Sequence, residues 1–437
     1  MSTLLGVVLG LRKRKSVTTV MRHRIVVVLL SRALIASCAL LHMDNVAIAA
    51  SEQHSAHADV SSSLSQIVKQ TGIPGLTFAV YGLRLHQQYS AGLADRETGE
   101  KMAPNAVIMG GSTGKVLVAV VAYQEIAKGR LHYSDKVERF LGASPEYRGL
   151  PGSSQFTVGM LLAQTTGLVD ATTDLEESAH PEGPWTNERR FKAAWGTKLL
   201  FPPGTAFSYS DLNYQILAAV LESIEHEYFG DLVVSRILQP LQMLNTKAAT
   251  SRVIAGLASG YAGPTSKPQY ENLKIPDKTA HSGVLYTDPS FEGGGGGFST
   301  TSADLAKFMY SLFNANLIGE EERHYMVAPP VRAPAYVKRA EGGQYGAGIF
   351  TYGTALGTAY GHGGIWDGYK SMMLYYPSRC VGAALQVNSQ IDGEGYDLER
   401  YLLRASSFDP PAMLTELVRE ALEQDSGKNE TQSCLGR

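Results

Sequence analysis

The stretch Gly110-Gly111-Ser112-Thr113-Gly114-Lys115 matches parts of three catalytic motifs. Ser112 and Lys115 form a Ser-x-x-Lys pair, which places a hydroxyl and an amine one helical turn apart, as a nucleophile and its base require. The first five residues also match Gly-x-Ser-x-Gly, the nucleophile elbow of α/β-hydrolases. The phosphate-binding loop is excluded, because that motif needs glycine at Met109 and serine or threonine at Val116.

An apolar helix is predicted to follow this stretch. Residues 115–128 carry apolar side chains at helical spacing, and Gly129 can end the helix. Ser112 then lies at the N-terminal end of the helix, with Lys115 on the same face. Burial in such a helix would lower the pKa of Lys115 and leave the amine partly neutral, as a general base requires.

Strand patterns at both ends of the chain enclose a mainly helical middle. Strands are predicted at 76–81, 85–91, 348–352, 369–376 and 381–387. Helices are predicted near 64–72, 157–164, 212–224, 301–313 and 398–403. This order indicates an α/β protein of the α+β type, with an antiparallel sheet built from N- and C-terminal segments, flanking helices and an inserted, mainly helical lobe. The run Gly293–Gly297 is expected to be a flexible backbone crossing.

The first fifty residues have the layout of a secretory signal peptide. Two arginines precede apolar segments within residues 25–41, and Ala47-Ile48-Ala49 provides a cleavage site after Ala49. We therefore expect residues 1–49 to be removed, with Met21 as an alternative start, and the mature protein to be periplasmic or secreted. A second interpretation is a lipoprotein anchored through Cys38, because residues 35–38 resemble a lipobox.

Composition and charge exclude several kinds of partner. The chain has 437 residues, of which 44% are hydrophobic and 18% charged, so it can bury a large core. Removing residues 1–49 changes the formal net charge from −2 to −8. An acidic chain without Lys/Arg clusters is not expected to bind nucleic acid, and no later apolar run is long enough to cross a membrane. The histidines show no metal-binding spacing, so no metal or other cofactor is predicted.

Two further blocks give the Ser-x-x-Lys pair its context. They are Tyr209-Ser210-Asp211, after Pro202-Pro203-Gly204, and His362-Gly363-Gly364-Ile365-Trp366. In this order the three blocks resemble those of the class C β-lactamase and D-alanyl-D-alanine carboxypeptidase family of serine hydrolases. The resemblance covers residues 64–405, which would form the catalytic domain, between a disordered segment at 50–63 and a C-terminal helix and polar tail at 406–437.

The resemblance implies a role for each matching residue. Ser112 would be the acylated nucleophile and Lys115 its partner, while Tyr209 would shuttle protons to the leaving group and to the deacylating water. His362 stands where related lactamases have lysine and carboxypeptidases often have histidine. The backbone amides of Ser112 and Ile365 would form the oxyanion hole. The family implies a small-molecule or peptide substrate and no cofactor.

Two departures from the family pattern bear on the substrate. Asp211 replaces an asparagine, which removes an amide donor and adds a negative charge, and Gly363 replaces a threonine, which removes a hydroxyl near a substrate carboxylate. We therefore expect a neutral or cationic ester or amide substrate. A substrate-contacting or supporting role is expected for these two residues and for Gly364, Trp366 and Tyr369. The aromatic pair is equally compatible with plain packing.

Several alternatives bound this prediction. The α/β-hydrolase elbow is disfavoured, because only one clear hairpin precedes Ser112 and that fold needs several strands there. Class A β-lactamases have Ser-Asp-Asn as their second block, whereas Leu212 follows Asp211 here. A true class C β-lactamase, a carboxypeptidase acting on peptidoglycan and a catalytically weak penicillin-binding sensor remain open. Cys380 and Cys434 can form a disulfide or stay as free thiols.

Overall fold

The two ends of the chain build one antiparallel sheet. The computed structural model describes residues 59–170, 183–262, 278–328, 344–390 and 410–426, and in these ranges the sheet has eight strands in the order β10-β11-β12-β13-β14-β1-β2-β3. The strands of the described chain are β1 (Gly75–Tyr81), β2 (His86–Asp95), β3 (Glu100–Lys101), β4 (Ile108–Met109), β5 (Lys247–Ala248), β6 (Gly260–Tyr261), β7 (Lys278–His281), β8 (Val284–Leu285), β9 (Phe298–Thr300), β10 (Gln344–Tyr345), β11 (Phe350–Thr354), β12 (Gly357–Trp366), β13 (Tyr369–Tyr376) and β14 (Val381–Val387).

The N- and C-terminal segments meet at the pairing of β1 with β14. Leu76 lies opposite Val387 and Tyr81 opposite Gly382, so the two strands are in antiparallel register along their whole length. The predicted sheet built from both termini is therefore confirmed. β4 lies in a separate three-stranded sheet with β9 and β5, directly before Ser112.

Helices cover both faces of the main sheet and form the middle of the chain. The described α-helices are α1 (Val60–Thr71), α2 (Gly114–Ala127), α3 (Glu138–Leu141), α4 (Pro145–Arg148), α5 (Val158–Leu162), α6 (Asn187–Ala193), α7 (Asp211–Glu225), α8 (Phe229–Val233), α9 (Ser302–Asn314), α10 (Glu320–Val327) and α11 (Pro410–Ser426). Most of them lie between β3 and β10, where the sequence predicts an inserted helical lobe. None of the helices in the described ranges combines the length and the apolar character that a bilayer crossing needs.

Alternating side chains divide the core into two layers around the sheet. Ala79 and Met373 face the helical lobe and pack in the same cluster as the apolar residues of α2 and α7. Phe78 and Met372, one position away on the same strands, face the opposite side and pack with α1 and α11. Period-two alternation therefore gives the sheet two apolar faces, each covered by helices.

Local signals explain most helix ends. The Thr301 side chain accepts a hydrogen bond from the Asp304 amide and caps α9. Gly72 ends α1 and Gly129 follows α2, both with positive φ angles that favour glycine. The prediction was wrong at Val60, where α1 begins inside the segment expected to be disordered.

Other differences concern the C-terminal part. The sequence pattern missed most of β12, because its glycines carry no β-strand signal. Cys380 is disulfide-bonded, which excludes a free thiol at this position, and its partner lies outside the described residues. The predicted signal peptide, Cys38, Cys434 and the helix at 398–403 also lie outside them.

Candidate active site

Ser112 lies where the short strand β4 passes into α2. The 3-10 turn Gly111–Thr113 joins the two, and the first amides of a helix have no acceptor within the helix, so they can bind an anion. Gly111 has a φ angle of 54°. A Cβ atom built on Gly111 would lie 2.3 Å from the carbonyl oxygen and 2.6 Å from the amide nitrogen of Ile365. Glycine is required here because the backbone of β12 approaches the turn so closely.

Lys115 is fully buried one turn below Ser112. Its ammonium donates a 3.0 Å hydrogen bond to the Ser112 hydroxyl oxygen. It also contacts the carboxylate of Asp211 as an ion pair and donates to the carbonyl oxygen of Gly295. The structure therefore brings together the serine and lysine that the sequence pattern paired, and it adds two acceptors that the pattern did not show.

The expected pKa shift of Lys115 was wrong in direction. Burial by itself lowers this pKa, but the charges of Asp211 and Glu292, a hydrogen bond to Asp211 and the charge of Asp170 outweigh burial and raise it above the ordinary value. Lys115 is thus a charged ammonium at neutral pH, and the charge of Asp211 is the largest cause.

Asp211 is held in place by the start of α7. Ser210 precedes the helix in an extended conformation, and the Asp211 amide donates a 3.0 Å hydrogen bond to the Asp170 carboxylate. The Asp211 side chain is buried against Lys115. The acidic residue that the sequence places in the second block therefore lies at the site, in contact with Lys115.

Tyr209 presents a buried hydroxyl to the same site. The Lys115 ammonium lies 4.9 Å from the centre of the Tyr209 ring. Burial first, then the charge of Asp211, raises the pKa of Tyr209 well above its ordinary value, while the nearby Ser112 side chain acts in the opposite direction. The hydroxyl is buried beside the Ser112 side chain. Tyr209 is therefore a neutral phenol that carries its proton close to Ser112.

His362 packs beside Tyr209 in an aromatic cluster. Its ring centre lies 6.1 Å from those of Tyr209 and Tyr345 and 5.1 Å from that of Phe350. The Nδ1 atom lies 2.5 Å from the carbonyl oxygen of Gly363, which accepts only, so Nδ1 carries a proton. The ring is nearly inaccessible to solvent, and the cluster fixes its orientation at the edge of β12.

The outer edge of β12 faces the Ser112 turn. Among the described residues, β11 pairs with β12 only as far as Gly361. Trp366 and Tyr369 flank the two-residue turn between β12 and β13. A Cβ atom built on Gly111 would lie 2.6 Å from the amide nitrogen of Ile365. The geometry brings the amide of Ile365 to the turn that carries Ser112.

The neighbouring glycines differ in what they allow. A Cβ atom built on Gly364 would lie 1.9 Å from the Gly110 carbonyl oxygen, which no side chain can tolerate. At Gly363 the nearest atom would be the flexible methyl end of Met372 at 3.3 Å. Gly364 is therefore required by packing, whereas Gly363 could accommodate a small side chain.

The glycines around the site are closely packed. Cβ atoms built on Gly110 and Gly114 would lie 2.8 Å from the Thr113 hydroxyl and 2.7 Å from the Phe298 ring. These glycines permit close packing inside the protein. Similarly, Gly293–Gly295 form a buried 3-10 turn against the site instead of a flexible crossing.

Trp366 and Tyr369 lie in the core next to the site. Both belong to a third apolar cluster, and the Trp366 ring lies 5.6 Å from that of Phe291. The Tyr369 hydroxyl donates a 2.6 Å hydrogen bond to the Ala258 carbonyl oxygen. Their positions fit the packing interpretation that the sequence left open.

Glu292 is the residue that sequence reasoning missed. Its side chain is buried, and a Cβ atom built on Gly295 would lie 2.7 Å from its Oε2 atom. Arg190 donates hydrogen bonds of 2.7 Å and 3.0 Å to the carbonyl oxygens of Ser290 and Phe291, which fixes the backbone before Glu292. The one sequence signal for Glu292 was the position of this acidic residue directly before the glycine run at 293–297.

Comparisons with known proteins agree with this geometry. The family model described as Beta-lactamase matches residues 60–406. Penicillin-binding protein 4* of Bacillus subtilis (strain 168) is 27% identical over 368 residues, which cover 80% of this chain and 76% of the relative.

Solved structures show the same fold. The D-amino acid amidase from Ochrobactrum anthropi SV3 has a TM-score of 0.69 at 21% identity, over 85% of this chain and 99% of the amidase. A D-stereospecific amidohydrolase from Streptomyces sp. has a TM-score of 0.64 at 24% identity, over 76% of this chain and 94% of that one. The family model covers most of the chain, and its motifs converge in the structure. The chain belongs to the β-lactamase family and is a serine hydrolase with the β-lactamase fold.

Proposed function

We propose that this protein hydrolyses an ester or amide bond through a covalent acyl-enzyme on Ser112. The observation that carries the proposal is the 3.0 Å hydrogen bond from Lys115 to the Ser112 hydroxyl, made in a buried site at the start of a helix. The Ile365 amide faces the same turn, and together with the Ser112 amide it would stabilise the oxyanion of a tetrahedral intermediate. Each group has a position that fits its role.

The proton on Lys115 sets the order of steps. Lys115 must first release a proton to solvent, because an ammonium cannot accept another. The neutral amine then takes the Ser112 proton as the oxygen attacks the substrate carbonyl carbon. Tyr209 donates its proton to the leaving group as the acyl-enzyme forms, and Lys115 returns a proton to Tyr209. Attack of water on the acyl-enzyme repeats these transfers in reverse and restores Ser112.

The charges around Ser112 support a neutral or cationic acyl group. Lys115 is the cation in contact with Ser112, and Asp211 already neutralises it. Glycine at position 363 offers no hydroxyl to a substrate carboxylate. The fold neighbours include enzymes named as a D-amino acid amidase and a D-stereospecific amidohydrolase. Amides and esters of D-amino acids with a free amino group are therefore the first substrates to test.

A fluorophosphonate probe tests the nucleophile. We expect one phosphonylated residue, identified as Ser112 by peptide mass spectrometry, and no labelling in the Ser112→Ala variant. Ser154→Ala, an exposed serine on the same domain, is the matched control and should label like the wild type. Labelling that persists in Ser112→Ala, or a wild type that does not label, would contradict the acyl-enzyme and favour a binding or sensor protein.

A substrate panel tests the acyl preference. The panel compares p-nitrophenyl esters, D- and L-amino acid amides, D-Ala-D-Ala peptides and nitrocefin. We expect kcat/KM for esters or D-amino acid amides to exceed that for nitrocefin and the free D-Ala-D-Ala terminus. Faster turnover of nitrocefin would instead identify a β-lactamase, and faster turnover of D-Ala-D-Ala peptides a carboxypeptidase.

We also propose that the protein acts in the periplasm or outside the cell. The support is the arrangement of arginines, apolar segments and Ala47-Ile48-Ala49 in the sequence. Expression with a C-terminal tag and N-terminal sequencing of the exported protein should give Ala50 as the first residue. A first residue at Cys38 carrying lipid would identify the lipoprotein alternative.

A further inference from the structure

Glu292 has no part in the chemistry proposed above, yet its carboxyl group lies at the site. The side chain is 5% exposed, and its Oε2 atom is buried without a hydrogen bond to the described residues. A buried carboxylate in this condition lacks the donors that normally stabilise its charge, whereas a protonated carboxyl is neutral and tolerates the same surroundings better. The environment of Glu292 therefore favours the protonated acid at neutral pH.

Gly295 connects Glu292 to the nucleophile's lysine. The Glu292 carboxyl and the Asp211 side chain both lie against the Gly295 α-carbon, where a built Cβ atom would be 2.7 Å from Glu292 Oε2 and 3.2 Å from Asp211 Cβ. The carbonyl oxygen of the same glycine accepts a hydrogen bond from Lys115. Glu292, Asp211 and Lys115 thus form one buried group around a residue without a side chain.

We propose that Glu292 is a positioning residue that limits the reactivity of Ser112 at alkaline pH, because its carboxylate form strengthens the hold of the site on the Lys115 proton and its protonated form adds nothing to it. The proposal rests on the proposed role of Lys115 as the base for Ser112. It adds a residue that touches neither the nucleophile nor the substrate and acts through Lys115.

The charges that face these groups decide the direction of the effect. Burial first, then the charges of Asp211 and Asp367, raise the pKa of Glu292 to about 8, against the lowering effects of Lys115 and Arg190. The charge of Glu292 in turn raises the pKa of Lys115, as the charges of Asp211 and Asp170 do. Ionisation of Glu292 above pH 8 therefore strengthens the hold on the Lys115 proton.

Proton counting gives a distinctive pH profile. When the group loses one proton, the remaining proton can stay on Lys115 beside a charged Glu292, or on Glu292 beside a neutral Lys115. The ratio of these two arrangements does not depend on pH, because both bind the same number of protons. The reactive fraction with neutral Lys115 consequently levels off once Glu292 ionises, and it rises again only at the higher pH where the second proton is lost. Without an ionisable group at this position, the fraction continues to rise with pH.

The test compares kcat/KM for a p-nitrophenyl ester between pH 6 and pH 9.5 in the wild type and in Glu292→Gln. Glutamine is neutral like the protonated acid, so we expect the two rates to agree within about twofold up to pH 7. The wild type should level off above pH 8, and the variant should be faster by about tenfold at pH 9, one unit above the Glu292 pKa.

Controls separate this effect from a structural role. Glu420→Gln removes another carboxyl whose pKa is raised by burial, in α11, and should leave the wild-type profile unchanged. Glu292→Asp keeps a carboxyl group, so its kcat/KM should level off above pH 8 as in the wild type. Two results would overturn the proposal. One is a wild-type kcat/KM that rises tenfold per pH unit beyond pH 8, which can be measured without any variant. The other is a Glu292→Gln profile that runs parallel to the wild type at every pH. Fluorophosphonate labelling of Ser112 at pH 7 reports separately on the proposed function.

Discussion

The ammonium of Lys115 and the carboxylate of Asp211 form a direct ion pair in the interior of the protein, and the same ammonium is hydrogen-bonded to Ser112. The pair joins α2 to the first residue of α7, so the segments that carry Ser112 and Tyr209 are held together by charge. A buried pair of this kind makes each partner costly to remove alone, because the other charge is left without compensation.

Replacing Lys115 with methionine should affect stability and activity separately. Lys115→Met removes the cation that faces the buried carboxylate of Asp211, which should cost about 3–5 kcal/mol of unfolding free energy. The loss of the base should slow acylation by about 10²- to 10⁴-fold. Adding Asp211→Asn should restore much of the stability and none of the activity. Urea unfolding and fluorophosphonate labelling measure the two effects, and a recovery of labelling in the double variant would contradict the role of Lys115.

Replacing Asp211 with asparagine should move the pH profile to lower pH. Asp211 is the largest of the charges that raise the pKa of Lys115 against burial, so its neutral replacement lets Lys115 lose its proton at lower pH. The rise of kcat/KM for an ester should therefore begin at a lower pH than in the wild type. An unchanged or more alkaline midpoint would show that Asp211 does not control the Lys115 proton.

Introducing threonine at position 363 should favour anionic substrates. A Cβ atom fits at Gly363, because the closest atom is the movable end of Met372. A hydroxyl at this position can donate a hydrogen bond to a substrate carboxylate. We expect Gly363→Thr to raise the ratio of nitrocefin to ester kcat/KM relative to the wild type. Gly363→Ser should act similarly and Gly363→Ala should not, so an equal effect of alanine would exclude the hydroxyl as the cause.

An alanine at position 364 should disrupt the site. The added Cβ atom would lie 1.9 Å from the Gly110 carbonyl oxygen, so β12 and the Ser112 turn must separate. We expect Gly364→Ala to lose fluorophosphonate labelling and to unfold at a lower temperature. Gly363→Ala, one residue away, is the matched control and should label normally. Normal labelling of Gly364→Ala would contradict the close approach of these two segments.

The buried acid also makes stability depend on pH. The pKa of Glu292 is raised from 4.5 to about 8 on folding, so the folded protein holds a proton that the unfolded chain releases in this range. The stability contributed by this proton is fully present below pH 4.5 and is lost as pH rises towards 8. Glu292→Gln should therefore gain about 1.4 kcal/mol relative to the wild type per pH unit across this window. Equal pH dependence of the two unfolding free energies would show that Glu292 is ionised throughout.

Local patterns in the sequence were enough for the main elements and for pairing Ser112 with Lys115. The apolar spacing after Lys115 predicted α2, the helical pattern at 301–313 predicted α9, and the strand patterns at the two ends predicted one sheet. These features depend on residues close together in the chain, whose spacing reflects helix and strand geometry directly. The sequence pattern missed most of β12. Its glycines are required by contacts with a turn that is distant in the sequence, and they do not reflect strand propensity.

The sequence by itself determined that Ser112 and Lys115 share one face at the start of a helix, because three residues are one helical turn. It did not determine the charge of Lys115. The three carboxylates that raise its pKa belong to residues 170, 211 and 292, and only tertiary folding brings them together around Lys115. Electrostatic energy depends on distance in space and on burial, neither of which is written in local spacing. The prediction of a partly neutral Lys115 was therefore wrong. The position of Glu292 near Lys115 depends on how the glycine run packs against the site, which local sequence spacing does not show.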